Sequence, residues 1–279
     1  MSNGEWLLSG FGDEIAEDPH VQISVLQALG ANFIEVRSAW GINIVDLDTA
    51  DLARLRAILG ERHMKVSAIA SPVGKVDVTV PVEAEVARLK RAIAAAHLLE
   101  SRYIRIFSFF RSPDVTVEST RDAVLERMSA LAAEAEREGV VLVHENEKDI
   151  YGDTPDRVLD IIESVGSASL KVAWDNANFV QVGVKPFTDG YAQLRPHLEY
   201  LQVKDAIATT GEVVPAGEGD GQLHETIAAL HDDGYAGFAS LEPHLGSQHV
   251  LGGFSGPHEF GRAARAFAQL TSTIGVKIV

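Results

Sequence analysis

The sequence predicts one (β/α)8 barrel, a single TIM barrel domain over residues 1–279, and three observations carry that expectation. Short β-branched or aromatic runs alternate with longer segments of helical period, the form taken by repeated βα units around a parallel sheet. The alternation gives about eight units, with no Pro/Ser linker, charge block or low-complexity tract between them. At 279 residues the chain exceeds the ~150-residue prior for one domain but is close to the ~250 residues of a typical barrel.

The elements follow in order. Residues 6–11 form the first strand and lead into Gly12-Asp13-Glu14. A doubly wound open sheet, the competing arrangement, would place a phosphate-binding glycine turn there, and two acids oppose a pyrophosphate. Helix 20–29 follows, then strand 33–36, helix 49–62, strand 65–70, helix 82–99, strand 103–107 and helix 120–138. Gly30, Gly60 and Gly139 fall where these helices should stop, as a left-handed terminal residue requires. Strand 140–144 precedes Asp153-Thr154-Pro155, a capping side chain and then a proline suited to the first turn of helix 155–165. Strands 170–174, 200–203 and 237–241 alternate with helices 188–194, 222–232 and 258–273.

Composition excludes several functions. Hydrophobic residues make up 46% and charged residues 23%, so the chain has a core to bury and is not disordered. A net charge of -16 repels a phosphate backbone and anionic lipid, which opposes nucleic-acid and membrane partners. Without cysteine, any metal must sit on oxygen or imidazole. The first residues lack the basic and apolar stretches of a leader, and no run approaches the ~18 apolar residues of a membrane span. A cytoplasmic location is the expectation.

Chemistry in a barrel gathers at the C-terminal ends of the strands. Strand five ends Val143-His144-Glu145-Asn146, strand six Ala173-Trp174-Asp175-Asn176, strand seven Leu201-Gln202-Val203-Lys204-Asp205, and strand eight Ser240-Leu241-Glu242-Pro243-His244. Glu145, Asp175, Gln202 and Glu242 thus become inward candidates at one rim. A single acid after a strand is commonly a helix cap or a solvated loop residue. Three acids buried together cost several kcal/mol each unless a shared cation compensates them. An oxygen-only shell favours a hard ion, Mn²⁺ or Mg²⁺, ahead of Co²⁺ or Zn²⁺.

The phrases HENEKDIYGDTPDRVLDII, WDNANFVQVG, YLQVKDA, VVPAGEGDG and SLEPHL resemble the sugar phosphate isomerase/epimerase superfamily, the xylose isomerase-like TIM barrels. The resemblance covers nearly the whole chain. It implies one divalent cation held at Glu145, Asp175, the position of Gln202, and Glu242, with Glu145 and Glu242 as the acid/base pair of a metal-stabilised enediolate. Gln202 departs from the family's usual histidine. Its amide oxygen can ligate, more weakly than imidazole.

Substrate contacts are expected from His144, Lys204, Arg37, Lys75, Glu218 and His244. Each also has a plainer reading, as a buried hydrogen-bonded group or a structural ion pair. Glu35, Arg37 and Arg105 can orient hydroxyls or pair with each other. The glycine-dense stretch 215–221 lacks the Lys-Ser/Thr of a P-loop and reads as a mobile rim segment. The resemblance implies an isomerase or epimerase of a small ketose, sugar acid or polyol. A lyase acting on an oxidised sugar and a catalytically silent sugar-binding homologue share the same residues. An endonuclease-like relative would need a histidine-rich multi-zinc site and a basic groove, which the net charge opposes. The apolar C-terminus, 274–279, can pack on its own barrel or on a neighbour, and a homodimer is the expectation.

Overall fold

The computed structural model describes residues 4–246, 248–249 and 252–279. Among these, eight strands form one parallel sheet: β1 (Leu7–Gly10), β2 (Phe33–Val36), β3 (Lys65–Ala70), β4 (Tyr103–Ile106), β5 (Val141–Glu145), β6 (Leu170–Asp175), β7 (Leu198–Val203) and β8 (Phe238–Leu241). Each pairs with its sequence neighbours, β8 pairs with β1, and a parallel bridge between Phe11 and Glu35 brings β1 to β2. The predicted barrel is therefore the observed one.

The outer core lies between the strands and the helices α1 (Pro19–Ala28), α2 (Thr49–Glu61), α3 (Val82–Leu98), α4 (Arg121–Glu138), α5 (Pro155–Val165), α6 (Asn176–Gln181), α7 (Leu223–Asp232) and α8 (Gly256–Ile274). Alternation along each strand divides it from the interior. Leu201 and Val203 of β7 join the outer core, whereas Tyr200 packs inside with Ala68, Val141, Val143 and Ala173. The same parity turns Gln202 inward. No helix among the described residues is long and apolar enough to cross a membrane.

Local chemistry explains the boundaries, including those that differ from expectation. Asp18 and Asp48 cap α1 and α2 by accepting from His20 N (2.9 Å) and Asp51 N (2.8 Å). Gly139 ends α4 in the left-handed conformation, as expected. Gly60 does not end α2; the helix runs through it, and His63 makes the left-handed turn at φ 52°. Thr154 stands at the cap position of α5 without a side-chain cap bond, while Asp153 pairs with Arg157 four residues on. The helix expected at 188–194 is a wide turn, Pro186–Tyr191, followed by one α turn, Ala192–Leu194. Gly190 lies so close to Pro155 that a Cβ there would come within 2.7 Å of its ring.

The stretch 215–221 is a carboxylate nest rather than a free rim segment. Asp205 Oδ2 accepts from Gly217 N (2.9 Å) and Gly219 N (3.1 Å), and Oδ1 from Ala206 N (2.8 Å) and Gly221 N (2.9 Å). A Cβ at Gly219 or Gly221 would fall 2.5 Å from Asp205 Oδ1, so the glycines serve this close approach. The C-terminus packs on its own barrel: Ile278 bridges to Trp6, and Leu8 N donates to Val279 O at 2.9 Å.

Candidate active site

Strand register collects the acids. Glu145 and Asp175 close β5 and β6, Asp175 lies opposite Gln202, and Glu242 follows β8 directly. All four side chains are buried, and oxygens of Glu145, Asp175 and Glu242 lie within 4.8 Å of one another. The Gln202 amide sits 3.2 and 3.1 Å from the two Glu145 oxygens, with its nitrogen donating to them. A half-turn of that amide presents its oxygen to the same point.

Three cations enter this cluster. Lys204 Nζ lies 2.8 Å from Asp175 Oδ2 and 3.1 Å from Glu242 Oε2. Arg105 Nη1 lies 3.1 Å from Glu145 Oε2 and 3.6 Å from Glu242 Oε1, joining the two glutamates. Arg37 Nη1 approaches Glu242 Oε1 at 3.5 Å, while its Nε donates to Asp13 Oδ2 at 2.8 Å. Phe11 lies under both guanidiniums, 5.1 Å from Arg37 and 5.2 Å from Arg105, and Phe107 adds a second face to Arg105 at 4.8 Å.

Burial and charge push these groups apart. Burial raises Glu145 to about 8, opposed by Arg105 and reinforced by Glu242. Burial likewise raises Asp175 to about 6 against the pull of Lys204. Burial works to raise Glu242 too, yet Lys204, His244 and Arg105 together outweigh it and hold this group well below the usual carboxylate range. The surrounding acids in turn hold Lys204 well above the usual range despite its burial.

The donor set fits a hard divalent cation. Asp175 Oδ1 caps α6 by accepting from Asn178 N at 2.9 Å, leaving Oδ2 buried, and its close ion pair with Lys204 lacks hydrogen-bond alignment. An oxygen with an unused lone pair, beside two further carboxylates and an amide that can turn its oxygen inward, is the chemistry Mg²⁺ or Mn²⁺ takes. Asn178 also donates to Glu145 Oε1 at 3.0 Å and so fixes the second carboxylate.

Of the remaining expected residues, four line the cleft and two do not. Arg37, Lys75, Lys204 and His244 border the chamber above Glu145 and Glu242. Lys75 pairs with Glu147 at 3.1 Å and rests on the Phe107 ring at 4.2 Å. His244 Nε2 lies 3.2 Å from Glu14 Oε1 and 3.3 Å from Glu242 Oε1. His144 obeys strand alternation and turns away from Glu145: its ring packs where a Cβ on Gly152 would meet it at 2.5 Å, and burial lowers it to about 3, a neutral imidazole. Glu218 is half-exposed and pairs with Arg262 of α8 at 3.0 Å, outside the cleft.

Sequence reasoning missed the support from the first βα unit. Asp13 holds Arg37 and Ser38, and Glu14 Oε2 accepts from His244 N (2.9 Å) and Ser255 Oγ (2.7 Å). The available signal was two acids directly after a strand at the catalytic rim. Glu35 does not pair with Arg37; it accepts from Tyr200 Oη at 2.8 Å inside the barrel.

A closed parallel barrel with its charged residues on the C-terminal rim is the arrangement in which barrel enzymes place their active sites. The chain belongs to the xylose isomerase-like TIM barrel family, whose description matches residues 23–270. Similar solved structures include the probable 3-DHS dehydratase AsbF of Bacillus anthracis, at 17% identity and TM-score 0.74, covering 95% of this chain and 98% of that one. D-allulose 3-epimerase from Methylomonas sp., in complex with D-allulose, matches at 15% identity and TM-score 0.76 over 95% and 97% of the two chains. A xylose isomerase-like TIM barrel protein from Mycobacterium smegmatis, in complex with magnesium, matches at 18% identity and TM-score 0.70 over 98% of each. At these identities the likeness shows the fold. No curated protein sequence matches this chain.

Proposed function

We propose that this protein is a divalent-cation-dependent isomerase or epimerase of a keto sugar or related polyol. The observation that carries the reading is the pair Glu145 and Glu242, two buried carboxylates from β5 and β8 that share Arg105 and face one chamber. Carboxylates approaching a bound sugar from two sides can remove a proton from the carbon beside its carbonyl and return one to the other face. Lys204 and Arg105 pair with the two buried carboxylates and set their orientation.

Glu145, Asp175, Glu242 and the amide oxygen of Gln202 would hold the cation, with Mn²⁺ or Mg²⁺ the choice for this oxygen set. When bound, such an ion supplies a Lewis acid for the sugar oxygens. Hydroxyl groups of the substrate meet Arg37, Lys75 and His244, which border the same chamber.

Incubation with a panel of keto sugars in D₂O, with Mn²⁺ present, tests the reading against a Glu145→Gln control. Deuterium incorporation without loss of water or CO₂ is expected. Release of water or CO₂ would make the protein a lyase of the kind the dehydratase relative is named for. Turnover no greater than the control across the panel would leave a sugar-binding protein.

A further inference from the structure

Two residues of one chain segment reach every acid of the rim cluster. Gln202 of β7 and Lys204, two positions on, fall on the same inward side by strand alternation. The Gln202 amide nitrogen donates to both Glu145 oxygens, at 3.2 and 3.1 Å. Lys204 Nζ lies 2.8 Å from Asp175 Oδ2 and donates to Glu242 Oε2 at 3.1 Å. Together they give Glu145, Asp175 and Glu242 the partners that a shared cation would give them.

An ion and these donors therefore compete for the same oxygens. The ion needs the Gln202 oxygen where the nitrogen points, and that takes a half-turn of the amide. Asp175 offers little choice of atom. Its Oδ1 caps α6 by accepting from Asn178 N at 2.9 Å, which leaves Oδ2, the oxygen that faces Lys204. A hard divalent ion binds such an oxygen at ~2.1 Å, so an ammonium that stayed on it would stand within ~5 Å of the ion, where buried like charges repel strongly.

The cluster gives this ammonium somewhere to go. Lys204 borders both the chamber over Glu145 and Glu242 and the larger one outside it, and Glu147 lines both as well. Its flexible stem can swing the charge toward Glu147 without leaving polar surroundings. Arg105 has no such freedom, because its guanidinium lies over the rings of Phe11 and Phe107 while it joins Glu145 and Glu242.

We infer that Lys204, seconded by Gln202, is a built-in stand-in for the cation: it pairs with the acids before loading, and the ion binds by displacing it. Lys204 is thus a positioning residue that sets how tightly the site takes its ion. This rests on the cation-dependent reading above and adds how that site is loaded.

Calorimetric titration of the full chain with Mn²⁺, after removal of bound metal by chelator, compares wild type with Lys204→Met. Loss of the competitor should tighten binding at least about tenfold, and binding by the variant alone would be the extreme of the same result. In Lys204→Ala, propylammonium replaces the missing chain and charge, and serves if Lys204→Met does not fold. It should raise the apparent Kd for Mn²⁺ in proportion to its concentration, without a plateau, relative to NaCl at equal ionic strength. Unchanged or weaker binding by Lys204→Met overturns the inference, and so does a plateau or no shift with propylammonium, since both cations would then be bound together. In either case Mn²⁺ binding by the wild type leaves the cation-dependent reading standing. Binding of Mn²⁺ by none of the three proteins overturns both.

Discussion

Two buried polar clusters share the barrel interior, and they differ in how many charges converge. In the lower one, Tyr200 Oη lies 2.8 Å from Glu35 Oε2 and 3.0 Å from Ser67 Oγ, and Ser67 meets Ser9 at 2.6 Å. In the upper one, two residues further along β7, Gln202 stands with three carboxylates and the cations Lys204 and Arg105. A single carboxyl among hydroxyls can shed its charge by binding a proton, and burial indeed raises Glu35 to about 7. Among the three carboxylates within 4.8 Å, Lys204, His244 and Arg105 hold Glu242 ionised, whereas burial leaves Glu145, at about 8, to shed its charge as Glu35 does. Burial of an acid is therefore no mark of a site; what sets the upper cluster apart is several carboxylates and cations converging beside an open chamber.

The largest expected effect breaks the upper cluster. Glu145→Gln or Glu242→Gln should lower the rate of solvent-hydrogen exchange into substrate by about 10²–10⁴-fold, the range of a lost general acid or base. Circular dichroism should show the fold retained.

Next in size, Lys204→Met leaves Asp175 and Glu242 facing each other without their shared ammonium. Urea unfolding in chelator should report a loss of roughly 3–5 kcal/mol, as for one partner removed from a buried pair. Saturating Mg²⁺ should restore more stability to this variant than to the wild type, because the ion binds the folded carboxylates.

A third prediction separates the clusters by pH. Glu35 has a folded value of about 7 against an ordinary 4.5, so it is more easily ionised in the unfolded chain. Its contribution is fully present below the unfolded value and is lost as pH rises through the interval up to the folded one. Glu35→Gln, which keeps an acceptor for Tyr200, should therefore gain roughly 1–3 kcal/mol at pH 8 and little at pH 4. An equal gain at both values would mean that the folded chain does not hold the Glu35 proton more tightly than the unfolded one. The smallest effect belongs to Glu218→Ala: its exposed pair with Arg262 should be worth under ~1 kcal/mol, and exchange rates should not change.

The contrast also explains what the sequence made legible. The rim set Glu145, Asp175, Gln202 and Glu242 was readable because strand ends in a barrel have a fixed role, and three acids and an amide at four successive ends leave few alternatives. His144, expected as a substrate contact, follows strand alternation away from Glu145 instead and packs against Gly152. The Glu35–Tyr200–Ser67–Ser9 layer was not readable, since it joins residues from four strands through tilt and register that no single run reveals. Glu218 was misplaced because glycine density signals a tight backbone without saying what it wraps, here Asp205. Asp13 and Glu14 were used only to exclude a phosphate turn, although their place after β1 puts them beside Arg37 and His244.

Crystals grown with Mn²⁺ and measured at an anomalous wavelength test the central claim most directly. The account predicts one strong anomalous peak bound by Glu145, Asp175, Glu242 and the amide oxygen of Gln202, with Lys204 drawn away from Asp175. Density without a peak there, with Lys204 and Arg105 still bridging the three carboxylates at saturating Mn²⁺, would contradict it.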